Sequence, residues 1–206
     1  MPKDTAAENN YILLSGEISS PCRFSHEIYG EGFYTFDLLS QRLSGNSDIL
    51  PVTISERIME GQSLDVGRKV CVKGQIRSYN SYCDKRSRLV LTVFAKELDF
   101  QECEDTNQIF LNGYICKKPV YRTTPFGREI TDILLAVNRA YNKSDYIPCI
   151  FWGRNAKYTG NLTTGDNIQV WGRVQSRQYQ KKNEDSIEER TAYEISVSRI
   201  EKKAEQ

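Results

Sequence analysis

The chain repeats itself. Aligning Gly16 with Gly113 also aligns Arg42 with Arg139, Ser47-Asp48 with Ser144-Asp145 and Pro51 with Pro148, all 97 positions apart. One residue later in register, Leu64 matches Leu162, Gly67 matches Gly165 and Gly74 matches Gly172, now 98 apart. Ordered anchors at one spacing mark an internal duplication of a unit of about 100 residues, too long a period for a solenoid. Whatever the first half folds into, the second half must fold into as well. The units fall at 1–105 and 106–206, joined by the short stretch Glu102–Gln108 (ECEDTNQ), so two adjacent bodies are expected.

Both units read as mostly β. Strands are expected at roughly 11–19, 33–40, 49–55, 69–78 and 88–99, and again at 109–117, 130–138, 146–152, 167–179 and 191–200. A short segment between the third and fourth strand, Glu56–Leu64 or Arg154–Leu162, suits a helical turn. Five strands with a helix in that place is the order of the OB barrel. The fold class is therefore all-β: two tandem OB-fold five-stranded barrels, each with a short helix between strands 3 and 4. Gly16, Gly74, Gly113 and Gly172 lie inside strands, where a small barrel must bend sharply.

Charge separates the copies although the total is only +1. Residues 1–105 hold 12 Lys/Arg against 16 Asp/Glu, net −4, and residues 106–206 hold 16 against 11, net +5. The second half is the better candidate to meet a polyanion. Six cysteines without a CxxC pair and a lone histidine, His26, give no metal-ligand cluster, so no metal or cofactor is expected. The N-terminus MPKDTAAENN is polar, and no apolar run approaches the roughly 20 residues of a membrane span. A cytoplasmic protein with reduced thiols and no membrane partner is expected.

The stretch LAVNRAYNKSDYIPCIFWGR, Leu135–Arg154, carries the chemistry. In its second strand Ile147, Cys149 and Phe151 share one face and Tyr146, Ile150 and Trp152 the other. Arg139, Lys143 and Arg154 flank the aromatic face. The next strand alternates Ile168, Val170, Gly172 and Val174 with Trp171, Arg173, Arg177 and Tyr179, and leads into Gln180–Thr191, a polar stretch with Lys181 and Lys182 that reads as a long loop. Flat rings among cations suit unpaired nucleotides: rings stack on bases and cations meet phosphates. The first copy offers Lys73, Arg77 and Tyr79 on the matching strand. Its Tyr29, Phe33, Tyr34 and Phe36 read as core and hairpin packing.

Four segments, LAVNR at Leu135–Arg139, FWGRNAK at Phe151–Lys157, GDNIQVWGRVQSRQY at Gly165–Tyr179 and TAYEISVSRIE at Thr191–Glu201, resemble the bacterial single-stranded DNA-binding protein family, whose fold is an OB barrel. The resemblance covers residues 107–201 and reaches the first copy only through the duplication. It implies base stacking at Tyr141, Tyr146, Trp152 and Tyr179. The matching first-copy places hold Ser44, Ile49, Ser55 and about Ser81, which implies that the first barrel has lost much of this surface. It also implies single-stranded DNA as partner, replication or repair proteins as further partners, and a homodimer giving four barrels. The sequence ends EKKAEQ, without the acidic tip through which the family recruits those proteins.

Two other classes compete. A primosome-type accessory protein or scaffold would use the barrels for protein contacts, a reading the acidic first copy favours. An enzyme would need a convergent site, and Glu129, Asp132, Asp145 and the distant His26 do not supply one. No catalytic activity is expected.

Overall fold

The computed structural model describes residues 9–42, 44–59, 61–83, 86–100, 104–182 and 187–203. The first copy contains β1 (Asn10–Ile18), β2 (Arg23–Ile28), β3 (Glu31–Gln41), β4 (Ser47–Ser55), α1 (Glu56–Met59), β5 (Lys69–Cys83) and β6 (Arg86–Asp99). The second contains β7 (Asn107–Ile115), β8 (Val120–Thr123), β9 (Glu129–Arg139), β10 (Lys143–Trp152), α2 (Arg154–Thr159), β11 (Asn167–Lys182) and β12 (Ile187–Lys202). This is an all-β OB fold in two copies. Alternation builds each core: Ile12 and Leu14 of β1 point inward with Phe36, Leu38, Val52 and Val93, and Ile109 and Leu111 of β7 with Leu135, Ile147, Phe151 and Ile195.

Each barrel closes where its first strand crosses its third, β1 on β3 and β7 on β9. A side chain at Gly16 would overlap the Leu39 carbonyl, and one at Gly113 the Ala136 carbonyl. Gly74 and Gly172 sit opposite bulges in β6 and β12, where a Cβ would strike the carbonyls of Phe94 and Ser196. These four close approaches are the physical content of the strand glycines.

The two barrels join through their first strands. β1 runs antiparallel to β7, with Ile12 opposite Ile109 and Tyr11 opposite Phe110. Ile12 and Ile109 are themselves repeat partners, 97 apart, so this pair lies on a local two-fold axis. The bonds obey it: Ser15 N–H donates to Thr106 O at 2.7 Å and Asn112 N–H to Asn9 O at 2.8 Å. A continuous 12-stranded sheet results.

The long β5–β6 and β11–β12 hairpins cross to the opposite barrel. Asp48, fully buried on β4, accepts the Ser176 N–H at 2.7 Å from β11 and the Arg42 Nε–H at 2.6 Å. Its repeat partner Asp145, buried on β10, accepts the Ser78 N–H at 2.8 Å from β5 and lies 3.1 Å from Arg77 and 3.6 Å from Arg139. Each barrel thus places a buried carboxylate against the other barrel's hairpin, with arginines supplying the countercharge a buried anion requires.

Three expectations change. β2 and β8 extend the five-stranded plan; both are exposed along their whole length, so no burial alternation announced them. The helical turn in the first copy is confined to Glu56–Met59 instead of reaching Leu64. The stretch 180–191 is mostly strand, because β11 continues to Lys182 and β12 starts at Ile187.

Burial would push the Asp48 carboxyl up, but the Arg42 hydrogen bond, the Ser176 N–H and the Arg42 charge outweigh it and hold it below the ordinary carboxylate range. A lowered folded value stabilises above the unfolded value of about 3.9, and the contribution vanishes as pH falls through the folded value. Asp48→Asn is expected to lose about 1–3 kcal/mol at neutral pH. It should also flatten the loss of stability below about pH 4. Urea melts from neutral to acid pH measure both effects.

Candidate nucleic-acid interface

β10 presents its two faces as the alternation predicts. Ile147, Cys149 and Phe151 are buried in the core, while Tyr146 is 46% and Trp152 37% exposed. Ile150 shares that outer face with Tyr146 and Trp152, as the alternation expects. It is only 4% exposed, because it sits beside Ser196 where β10 runs parallel to β12. It lies between the two aromatics on this face, which are roughly 20 Å apart at strand rise.

The Trp152 indole N–H donates to Ser196 Oγ at 3.3 Å, which ties the ring to β12. Farther along β12, nearly buried Glu194 accepts the Gln175 amide at 2.9 Å and lies 3.6 Å from Arg177. Arg173 donates to Gln175 at 3.3 Å. The chain Arg173–Gln175–Glu194–Arg177 holds two guanidinium groups on the outer face of β11, beside β12. Arg177 also lies 5.9 Å from the Tyr179 ring, which is partly exposed.

At the β9–β10 turn, Tyr141 and Asn142 both adopt positive φ, 60° and 53°. This left-handed pair is unfavourable for a tyrosine and throws the ring, 94% exposed, clear of the barrel. Lys143 opens β10 and Arg154 opens α2; both are exposed, and among the described residues neither side chain shows a hydrogen bond or ion pair.

Other predicted residues lie elsewhere. Trp171 lies on the outward face of β11 with Arg173, and the extra residue of the register shift there, Ser198, is on β12. The Trp171 ring packs on Phe110 at 5.1 Å with Arg199 4.6 Å from its centre, in a row that continues to Tyr11 across the β1–β7 junction. Arg77 and Arg139, expected to meet phosphates, both pair with Asp145 and are partly exposed. Burial lowers the Arg77 pKa against the pull of that carboxylate. Lys73 is paired with Glu97 at 3.2 Å. Tyr79 is exposed at the rim of a cleft of about 180 Å³ in the first barrel. Lys181 and Lys182 belong to β11, and their side chains lie outside the described residues.

The acids considered for catalysis do not converge. Glu129 engages Tyr121 and Lys157, Asp132 engages Arg122, and Asp145 is in the barrel contact. Sequence reasoning missed Phe94 and took Phe33 for packing, although both are partly exposed on the outer face of the first barrel. Their spacing follows no family motif; only the cross-strand register brings them together.

Trp152 and Trp171 are the only two tryptophans. Iodide is expected to quench a fluorescence fraction that Trp152→Phe removes, leaving the emission of Trp171, which is held between Phe110 and Arg199. Quenching that survives the substitution would assign the accessible ring to Trp171.

Comparison with known proteins fits this geometry. The model of the single-strand binding protein family matches residues 106–202. A single-stranded DNA-binding protein of Clostridium tetani is 36% identical over 84 residues, covering 37% of this chain and 58% of the relative. Single-stranded DNA-binding protein B of Bacillus subtilis is 33% identical over 88 residues, covering 39% of this chain and 76% of the relative. Against the first relatives matched, the chain spans only about half of their length. The crystal structure of wild-type single-stranded DNA binding protein from Thermus aquaticus superposes with a TM-score of 0.76 at 21% identity, covering 96% of this chain and 94% of that one. At that identity the likeness extends to the fold, and it includes both barrels. By its second barrel, the chain belongs to the single-strand binding protein family.

Proposed function

We propose that this chain binds single-stranded DNA with little sequence preference, in replication, recombination or repair. The observation that carries the reading is the outer face of the second barrel: Tyr146 and Trp152 stand exposed on one face of β10, and Arg173 and Arg177 are fixed on β11, beside β12. Rings supply flat surfaces that any base can stack on, and guanidinium groups supply phosphate contacts that carry no sequence information. Tyr141, Tyr179, Lys143 and Arg154 extend the same surface at its ends. The relatives' names point the same way.

In this reading residues 1–105 and 106–206 act as two binding units held by the β1–β7 pairing. Two copies of the chain in a homodimer would provide four barrels, in the cytoplasm, where single-stranded DNA arises during replication. Light scattering at micromolar concentration is expected to give twice the chain mass of 23.7 kDa. A monomer mass would remove the four-barrel assembly and leave the outer face untouched.

Single-stranded DNA should quench the intrinsic tryptophan emission. Trp152→Ala is expected to lose about 1–3 kcal/mol of binding free energy, the contribution of one stacked base. Affinity should also fall steeply with salt, since each neutralised phosphate releases counterions. An oligonucleotide titration at several salt concentrations tests this, and equal affinity in the variant would move the stacking site away from Trp152.

A further inference from the structure

We propose that the first barrel also stacks an unpaired base, on Phe33 and Phe94, at the place where Trp152 stands in the second barrel. The inference rests on the single-stranded DNA reading above and extends it to a barrel whose four matching aromatic positions hold other residues.

Cross-strand register carries the argument. In the second barrel, Trp152 on β10 pairs with Ile130 on β9, and its neighbour Ile150 pairs with Ser196 on β12. In the first barrel, Ser55 on β4 pairs with Phe33 on β3, and Thr53 pairs with Phe94 on β6. Ser55 and Trp152, Thr53 and Ile150, and Phe33 and Ile130 are each 97 positions apart, so the two sets coincide place for place. Where one barrel has Ile, Trp and Ser across three strands, the other has Phe, Ser and Phe. One ring on the middle strand has been exchanged for two on its neighbours. A comparison that follows each strand separately sees only the loss at Ser55.

The two rings meet over the small serine, with centroids 5.9 Å apart and planes tilted by 36°. His26 on β2 stacks on Phe33 at 5.0 Å and 10°, and Arg77 lies 5.8 Å from the Phe94 ring. A band of flat groups ending in a cation therefore crosses the outer face. The core does not use these rings, because Phe36 and Val93 fill it from the opposite face of the same strands.

Beside Phe94 runs the cleft of about 180 Å³, bordered by Asp37, Thr53, Tyr79 and Thr92. The two threonine hydroxyls are hydrogen-bonded at 2.8 Å. Hydroxyls and a carboxylate can meet the polar edge of a splayed base. Arg23 lines the cleft as well, so it offers a base edge a donor beside the hydroxyls and the carboxylate.

The test uses the full chain and thymidine oligonucleotides of two lengths, about 8 nucleotides to fill one barrel and about 35 to cross both. Both tryptophans lie in the second barrel, so quenching reports that barrel alone. Phe33→Ala and Phe94→Ser are expected to weaken binding of the long oligonucleotide about 5- to 100-fold each. Binding of the short one, read by quenching, should stay the same. If the unaltered chain binds and both variants hold the long oligonucleotide as tightly, the first-barrel site is overturned and the second-barrel reading stands. If the unaltered chain binds neither oligonucleotide, both fall together. Photocrosslinking of the unaltered chain to an iododeoxyuridine-substituted long oligonucleotide gives a readout independent of the variants' folding. Adducts at His26, Phe33 or Phe94 support the site, and adducts confined to residues 106–206 overturn it.

Discussion

The pairing of β1 with β7 is the constraint from which the rest follows. An OB barrel leaves the outer edge of its first strand open, and an open edge carries unpaired N–H and C=O groups that seek a partner. Here the partner is the same strand of the other copy, met on a two-fold axis through Ile12 and Ile109. Once that axis is set, each long hairpin must lean on the opposite barrel. The buried aspartates then become possible: Asp48 finds Ser176, and Asp145 finds Ser78, only because the axis brings them there. A carboxylate sealed from water without these donors would lose several kilocalories per mole. The clamp therefore reinforces one relative placement of the barrels and penalises others.

Divergence has acted on the outer faces while leaving this frame alone. The clamp is kept in both copies, from Arg42–Asp48 to Arg139–Asp145, and so is the amide of Asn10 or Asn107, which bonds both the N–H and the C=O of Ile76 or Val174. The outer-face residues have changed. Ser55 stands for Trp152, Phe94 for Ser196, and Tyr79 for Arg177. Frame residues answer to two barrels at once, so a single change at Asp48 or Ser78 breaks a contact whose other half lies elsewhere in the chain. Most side chains of the outer face bond only within their own barrel, so a ring can be exchanged between neighbouring strands without breaking the frame.

How much of this could be read beforehand follows from the same distinction. The duplication, the strand order, the closure glycines and the inward face of β10 are local, and period-two alternation or a fixed spacing exposes them. The strands β2 and β8 were illegible because neither face is buried, so no alternation marks them. Arg77 and Arg139 look like free cations in sequence. Their engagement by Asp145 depends on a hairpin crossing from one barrel to the other, over a separation of 68 residues for Arg77. Trp171 keeps the outward face that the alternation of β11 gives it, but its partners Phe110 and Arg199 come from two other strands and only the cross-strand register shows them. The Phe33–Phe94 pair joins residues on strands that are not neighbours in sequence, and only the pairing of each with β4 shows that they share a place.

The frame also reaches the outer faces. The Tyr146 backbone N–H donates to Ser78 Oγ at 2.7 Å, so the first barrel's hairpin fixes the strand at one end of the second barrel's aromatic face. At the other hairpin, Arg88 of β6 donates to the Thr191 carbonyl of β12 at 2.8 Å. Tyr193 of β12 packs beside Pro51, Leu91 and Thr92, the last three of which also line the first-barrel cleft. Each outer face is thus bounded partly by residues of the other copy. A ligand that moves one hairpin must disturb a contact at the other barrel, and by linkage the disturbance acts in both directions. The duplication has therefore done more than place two barrels in one chain: the crossed hairpins tie the outer face of each to contacts made by the other.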